Sequence, residues 1–167
     1  MRVLMISTDG FEDTELLVPL YRLREENIEV DVAAPEARTI TGKHGYEVKA
    51  NIPVDAVKTS NYDMLVLPGG KAPATLRHDE QVLQIARDFF GKKKPVAAIC
   101  HGPQILVTAG LLNGRTATAY KTVGKELKES GAQYKDEELV VDDNLITSRQ
   151  PGDLPAFNRA ILQRLAA

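Results

Sequence analysis

Short apolar runs recur along this chain with segments of helical period between them, and this alternation limits the available folds more than any other feature. The runs are Val3-Leu4-Met5-Ile6, Val30-Asp31-Val32-Ala33-Ala34, Met64-Leu65-Val66-Leu67, Val96-Ala97-Ala98-Ile99, Leu139-Val140-Val141 and Leu145-Ile146-Thr147. Runs this short and nearly continuous read as strands buried on both faces, although periodicity alone leaves buried helix open. Between them, Leu16, Leu20 and Leu23 form one helical stripe, with Asp13 and Glu15 where acids suit a helix N-terminus. Val82, Ile85, Ala86, Phe89 and Phe90 form a second stripe, preceded by Asp79-Glu80 and stopped by Gly91. Shorter helices are expected over 105–112 and 123–130, and a last one opens at Pro155 with Phe157, Ile161 and Leu165 on one side. Strand–helix alternation of this kind calls for an α/β sandwich, a mostly parallel sheet with helices on both faces. Gly42, Gly45 and the alternating Tyr46 and Val48 predict a small β-hairpin within 39–53.

At 167 residues the chain suits one domain, 1–167, with enough length to bury a core. Its 21 basic and 23 acidic residues are interspersed, so no nucleic-acid footprint is expected; Lys92-Lys93-Lys94, between Gly91 and Pro95, reads as a solvated turn. No stretch approaches the roughly 18 apolar residues of a spanning helix, and no export signal is visible, so a soluble cytoplasmic protein is expected. Cys100 is the only cysteine, which excludes a disulfide framework within the chain and a multi-thiolate zinc site. His44, His78 and His101 lack ligand spacing, and neither metal nor cofactor is expected.

In a sheet of this type ligands bind beyond the carboxyl ends of the strands. Three strand-to-helix junctions there carry chemistry: Asp9-Gly10-Phe11-Glu12-Asp13, Pro68-Gly69-Gly70 and Cys100-His101-Gly102-Pro103. Cys100 stands between an apolar strand and a short helix, the context of a nucleophile elbow, where a helix N-terminus favours thiolate. A free cysteine is also among the most buried residue types, so a plain core role is the alternative. His101 is a candidate base for the thiol, or else a capping residue. Adjacent residues point apart in a regular element, so the pair can work only if Cys100 itself sits at a strained turn. Gly69 and Gly70 allow close backbone approach, and the amides of Gly70 and His101 would form an oxyanion hole beside the nucleophile; a tight turn is the plainer alternative. Glu12 either serves the helix dipole or, protonated, donates to the thiolate.

The set Phe11-Glu12-Asp13-x-Glu15, Thr41-Gly42-x-x-Gly45, Pro68-Gly69-Gly70, Cys100-His101-Gly102-Pro103-Gln104 and Ser148-Arg149-x-Pro151-x-Asp153-Leu154-Pro155 resembles the PfpI/ThiJ family in order and spacing. That family lies within the Parkinsonism-associated deglycase superfamily and is related to class I glutamine amidotransferase domains. The resemblance spans essentially the whole chain and is strongest to the short PfpI-type intracellular peptidases and general stress proteins. It implies a flavodoxin-like sandwich, a reactive Cys100, a hydrogen-bonding Glu12, and oxyanion amides at Gly70 and His101. It also implies a homodimer or a hexamer of dimers. Tyr120 matches a tyrosine near the site in similar proteins and reads equally as a strand-end aromatic.

One position departs from the pattern. Peptidase members carry an acid after the Ala-Pro dipeptide that reaches across the subunit interface to orient the histidine, and here that position is Ala74. Such an acid is worth orders of magnitude in rate, and nothing in the sequence aims Asp79 or Glu80 at its place. The resemblance therefore implies a stress-response protein whose cysteine acts on a small carbonyl compound or a glycated substrate, in glyoxalase- or deglycase-type chemistry. A redox-sensing role for an oxidisable Cys100 is the alternative, and peptide hydrolysis ranks third.

Overall fold

The computed structural model describes residues 1–167. In chain order the elements are β1 (Arg2–Ile6), α1 (Asp13–Glu25), β2 (Glu29–Ala34), β3 (Thr39–Thr41), β4 (Glu47–Lys49), β5 (Ile52–Pro53), β6 (Met64–Leu67) and α2 (Ala72–Leu76). There follow α3 (Glu80–Gly91), β7 (Val96–Ile99), α4 (Pro103–Thr108), β8 (Thr116–Ala117), α5 (Gly124–Glu129), β9 (Gln133–Tyr134), β10 (Val140–Asp142), β11 (Leu145–Ser148) and α6 (Leu154–Ala166).

Seven strands form one sheet in the order β10-β11-β7-β6-β1-β2-β5, all neighbours parallel except the β10–β11 pair. Each short apolar run becomes a strand, and β6, β7 and β11 are buried at every residue. Burial on both faces explains why these runs are continuous rather than alternating. Helices α1 and α6 pack together on one face, and α3 and α4 cover the other. The five principal parallel strands run β2-β1-β6-β7-β11, the 2-1-3-4-5 order of a flavodoxin-like sandwich. β3 and β4 pair antiparallel, Ile40 opposite Val48, as the glycine and tyrosine pattern predicts.

Local chemistry sets the element ends. The Asp79 carboxylate caps α3 by accepting from the amides of Gln81 and Val82. Helix α4 stops at Thr108, four residues before its expected end. Gly110 takes φ 76°, its amide bonds to the Val107 carbonyl, and the Leu111 amide reaches back to Leu106. That is the Schellman pattern, and glycine supplies its left-handed residue. Four elements carry too few residues for a periodic signal: the β5 edge strand against β2, the five-residue α2, and the parallel pair β8 and β9.

The order of the sheet also selects the site. From β1 the chain crosses one way to β2, while from β6 onward it winds the other way through β7 to β11. The reversal between β1 and β6 opens a crevice beyond their carboxyl ends. Phe11 and Gly70 bridge there as an isolated antiparallel pair, joining the loops after β1 and β6.

Candidate active site

β7 delivers its last apolar residue, Ile99, into the sheet and then turns sharply at Cys100, whose φ is 63°. A side chain in this left-handed region is strained and persists only where the surroundings hold it. Here the Cys100 amide is bonded to the Ser148 carbonyl of β11, and its carbonyl accepts from Tyr120. The turn throws the thiol to the same side as the next residue, and Cys100 Sγ lies 3.3 Å from His101 Nδ1. The steric demand that adjacent residues placed on the pair is thus met in the backbone. Tyr120 stacks on the imidazole at 5.2 Å between ring centres, 26° from parallel.

Around the thiol lies a cavity of about 420 Å³ lined by Glu12, Glu15, Lys43, Gly70, Lys71, Ala74, Cys100, His101, Gln104, Tyr120 and Pro151. All five residues singled out from the sequence, Glu12, Gly70, Cys100, His101 and Tyr120, are therefore brought together. The amides of Gly70 and His101 both favour the thiolate over the thiol, which puts two donors in the neighbourhood where an oxyanion formed beside that sulfur needs them.

The glutamate against the thiol is Glu15, which corrects the assignment of that contact to Glu12. Glu12 stands one residue before α1 in extended conformation (φ −71°, ψ 113°). Its carboxylate turns to the hairpin, 2.7 Å from Lys43 Nζ and 3.6 Å from His44 Nε2, and also accepts from the Thr14 hydroxyl. Glu15, in the first turn of α1, is fully buried, and its Oε1 accepts the Gly69 amide at 3.0 Å. Burial, then the nearby charge of Glu12, push the Glu15 carboxyl up to about 8, so it holds its proton at neutral pH.

The environment of Cys100 also corrects an expectation. Burial pushes the thiol up, to about 12, and a charged Glu15 adds to the shift; the amides of His101 and Gly70 work against it. Desolvation outweighs the helix end because Cys100 is only 7% exposed and α4 has six residues. Cys100 and Glu15 are thus a coupled pair: either can lose a proton readily only while the other keeps one. With Glu15 protonated, its repulsion of the thiolate disappears. His101 is held below the ordinary histidine range by burial and by the charge of Lys43, partly opposed by Glu126, so the ring is neutral and can accept a proton.

Neither acid near position 74 replaces a missing carboxylate. Asp79 caps α3, and Glu80 pairs with Arg87 at 2.6 Å. Lys43, Lys71 and Gln104 are cavity residues that the sequence did not single out. Glu15 had a signal: with Pro19 and Leu23 it continues the buried face of α1 at four-residue spacing, and a carboxyl on a buried stripe demands a partner.

Comparison with known proteins agrees with this architecture. The family model described as DJ-1/PfpI matches residues 1–164. The chain is 48% identical to the deglycase TK1284 of Thermococcus kodakarensis over 165 residues, 99% of each chain. It is 41% identical to general stress protein 18 of Bacillus subtilis over 167 residues, covering 98% of this chain and 97% of that one. A crystal structure from Anabaena variabilis, a two-domain protein with DJ-1/ThiJ/PfpI-like and ferritin-like domains, superposes with a TM-score of 0.98 at 38% identity. That match covers 99% of this chain and 50% of the Anabaena chain, so the present protein spans half of its length. With the elbow at Cys100, the 2-1-3-4-5 sheet and this whole-length similarity together, the chain belongs to the DJ-1/PfpI family.

Proposed function

We propose that this protein is a stress-response deglycase whose Cys100 attacks the aldehyde carbon of a 2-oxoaldehyde, either free or released from its early adduct with an amine. The observation that carries this reading is the elbow itself: Cys100 at φ 63°, its sulfur 3.3 Å from His101 Nδ1 and faced by the amides of Gly70 and His101. An amine adduct first expels its amine, the hemiaminal hydroxyl proton passing to nitrogen. The thiol proton moves to neutral His101 as the S–C bond forms, and the carbonyl π pair becomes an oxyanion held by the two amides. A proton then leaves this carbon and another is added to the neighbouring carbonyl carbon. One carbon is oxidised and the other reduced, so no external redox partner is needed. His101 and Glu12, which line the same cavity, carry these protons. Water cleaves the resulting thioester to a 2-hydroxy acid and restores the thiol.

Similarity to deglycases and stress proteins supports the reading, as does a single free thiol, which the reducing cytoplasm preserves. We place the protein there as a homodimer. Val18, Tyr21 and Tyr46, three of its five exposed large apolar side chains, share the face formed by α1 and the hairpin. Arg22 and Glu25, paired with each other at 3.2 Å, rim this face, so an apolar patch with a neutralised edge is offered to a second copy. Peptide hydrolysis ranks lower because position 74, where peptidase members carry the acid that orients the histidine across the interface, is Ala. The redox alternative keeps one specific support: the protonated Glu15 carboxyl could donate to an oxygen added at sulfur.

The test is lactate formation from methylglyoxal by wild-type protein and Cys100→Ser. Many lactates per site, absent from the variant, are expected. Consumption of about one equivalent without lactate would overturn the catalytic reading and leave a reactive thiol.

A further inference from the structure

Gln104 lines the cavity one helical turn after His101, and its side-chain amide has a fixed direction. Nε2 donates to Glu126 Oε2 at 3.0 Å. Glu126 is itself clamped through its other oxygen by Arg77, whose Nε is anchored on the Thr108 hydroxyl at 2.9 Å. Burial works against the Glu126 charge, but the bonds from Arg77 and Gln104 outweigh it and hold the carboxyl below the usual range. A carboxylate only accepts, so the Gln104 amide cannot flip without setting its oxygen against that charge. The Gln104 Oε1 atom is thereby left as the free end, and it makes no hydrogen bond within the chain.

The other polar groups around the thiol are mostly donors: the amides of Gly70 and His101, the ammoniums of Lys43 and Lys71, and protonated Glu15. The Glu12 carboxylate and the His101 ring also accept, but the carboxylate is occupied by Lys43 and Thr14 and His101 Nδ1 is engaged with the thiol. We propose that Gln104 Oε1, locked by Glu126 and Arg77, accepts the N–H of an amine-derived adduct, and so makes the adduct rather than the free 2-oxoaldehyde the preferred substrate. A hemiaminal of a primary amine carries such an N–H beside the reacting carbon, and a bare 2-oxoaldehyde carries none. This deepens the deglycase reading and rests on it for the reaction, while the subsite itself is a binding property.

The experiment separates the two. Binding of N-methyllactamide, which carries an N–H, is compared with that of methyl lactate, which has an ester oxygen in its place, by chemical-shift titration. Both probes share the hydroxyl and the carbonyl. Wild type should prefer the amide by about five- to tenfold, the size of one hydrogen bond. Gln104→Met should abolish the preference. Glu126→Gln, which frees the Gln104 amide to flip and leaves its chain intact, should reduce it below about twofold. The same Gln104→Met protein should lose about five- to tenfold more in kcat/KM on the methylglyoxal adduct of N-acetyl-lysine than on free methylglyoxal. Equal binding of both probes by wild type, a preference retained in Gln104→Met, or equal loss on both substrates would overturn the proposal. An amide preference without lactate from either substrate would sink the proposed reaction and leave the subsite standing.

Discussion

The Glu15 carboxyl and the Cys100 side chain meet across Gly69. A β-carbon placed on that glycine would lie 2.5 Å from Glu15 Oε1 and 2.8 Å from Cys100 Cβ. Two ionisable groups are thus packed against one glycine, at a point that leaves no room for a side chain between them.

That burial has a cost which depends on pH. Burial raises the Glu15 carboxyl in the folded chain to about 8, from the 4.5 of a free glutamate. Between those values the unfolded chain has released a proton that the folded chain retains, so this group's contribution to stability is full below the lower value. It declines as pH rises toward the upper one. Glu15→Gln keeps an acceptor for Gly69 and removes the titration. The variant should match wild type near pH 4 and exceed it by roughly 1–3 kcal/mol at pH 8, after discounting the altered contact with Cys100. Urea unfolding across that range checks it; a constant difference between the two proteins would contradict the coupling.

Thiol reactivity should report the pair rather than the isolated cysteine. Once one proton has left, the remaining one is shared in a fixed ratio, and the thiolate fraction stops rising until the second is lost. Alkylation of wild-type Cys100 by iodoacetamide should therefore level off near pH 8, where the carboxyl member gives up its proton. In Glu15→Gln the easily lost proton is gone, and the midpoint should move up toward that of a buried thiol. A wild-type rate that keeps rising about tenfold per pH unit through pH 8, with no level stretch, would show instead that the two groups titrate independently.

Gly69→Ala tests the packing directly. The added methyl would also lie 2.9 Å from the Ile99 carbonyl, and that backbone atom cannot swing aside. Overpacking of this kind costs about 1–3 kcal/mol. The strain falls on the Cys100 turn, so lactate formation should drop more than tenfold even where the variant is fully folded. Unchanged stability and turnover would mean that the Glu15–Cys100 contact is looser than the distances imply.

The sheet was legible because burial on both faces leaves a compositional mark. Val96-Ala97-Ala98-Ile99 can hardly be anything but a strand once Asp79-Glu80, the amphipathic stripe and Gly91 bracket it. Cys100 and His101 were legible for a similar reason, as they interrupt that pattern at a junction. The Glu12 contact was misplaced because sequence proximity to a strand end does not say which way a side chain turns. Glu12 is still in extended backbone, whereas Glu15, three residues on, has rotated onto the buried face of α1. Lys43 reaches the cavity only through the fold of the hairpin, 28 or more residues along the chain from either glutamate, and no local pattern records that. Gln104 sat within a motif that drew attention to its neighbours, and its role depends on Glu126 and Arg77, which only tertiary packing brings together.

The turn of the hairpin that supplies Lys43 is held by the Asp13 carboxylate, while Asp9 accepts the Thr41 amide at 2.9 Å at the end of β3. Asp13 accepts the amides of His44 and Tyr46 at 3.0 Å each, through different oxygens. Burial works against its charge, but those two amides outweigh it and keep the Asp13 carboxyl below the ordinary range. A carboxyl depressed in the folded state stabilises it above the unfolded value and loses that contribution as pH falls through the folded one. Asp13→Asn can satisfy one amide and must leave the other facing an NH₂ group, at a cost of about 1–3 kcal/mol. The loss should be local, because β3 and β4 form a separate two-stranded sheet. Amide exchange at His44 and Tyr46 should therefore accelerate at pH 7 while the strands around β1 and β6 keep their protection. With Lys43 released, Glu12 loses its ammonium partner, so turnover should fall although Cys100, His101 and Glu15 are untouched. Acidification of wild-type protein below pH 4 should reproduce the same exchange pattern before the central sheet opens. Uniform acceleration across the whole chain would show instead that Asp13 supports the core rather than the hairpin.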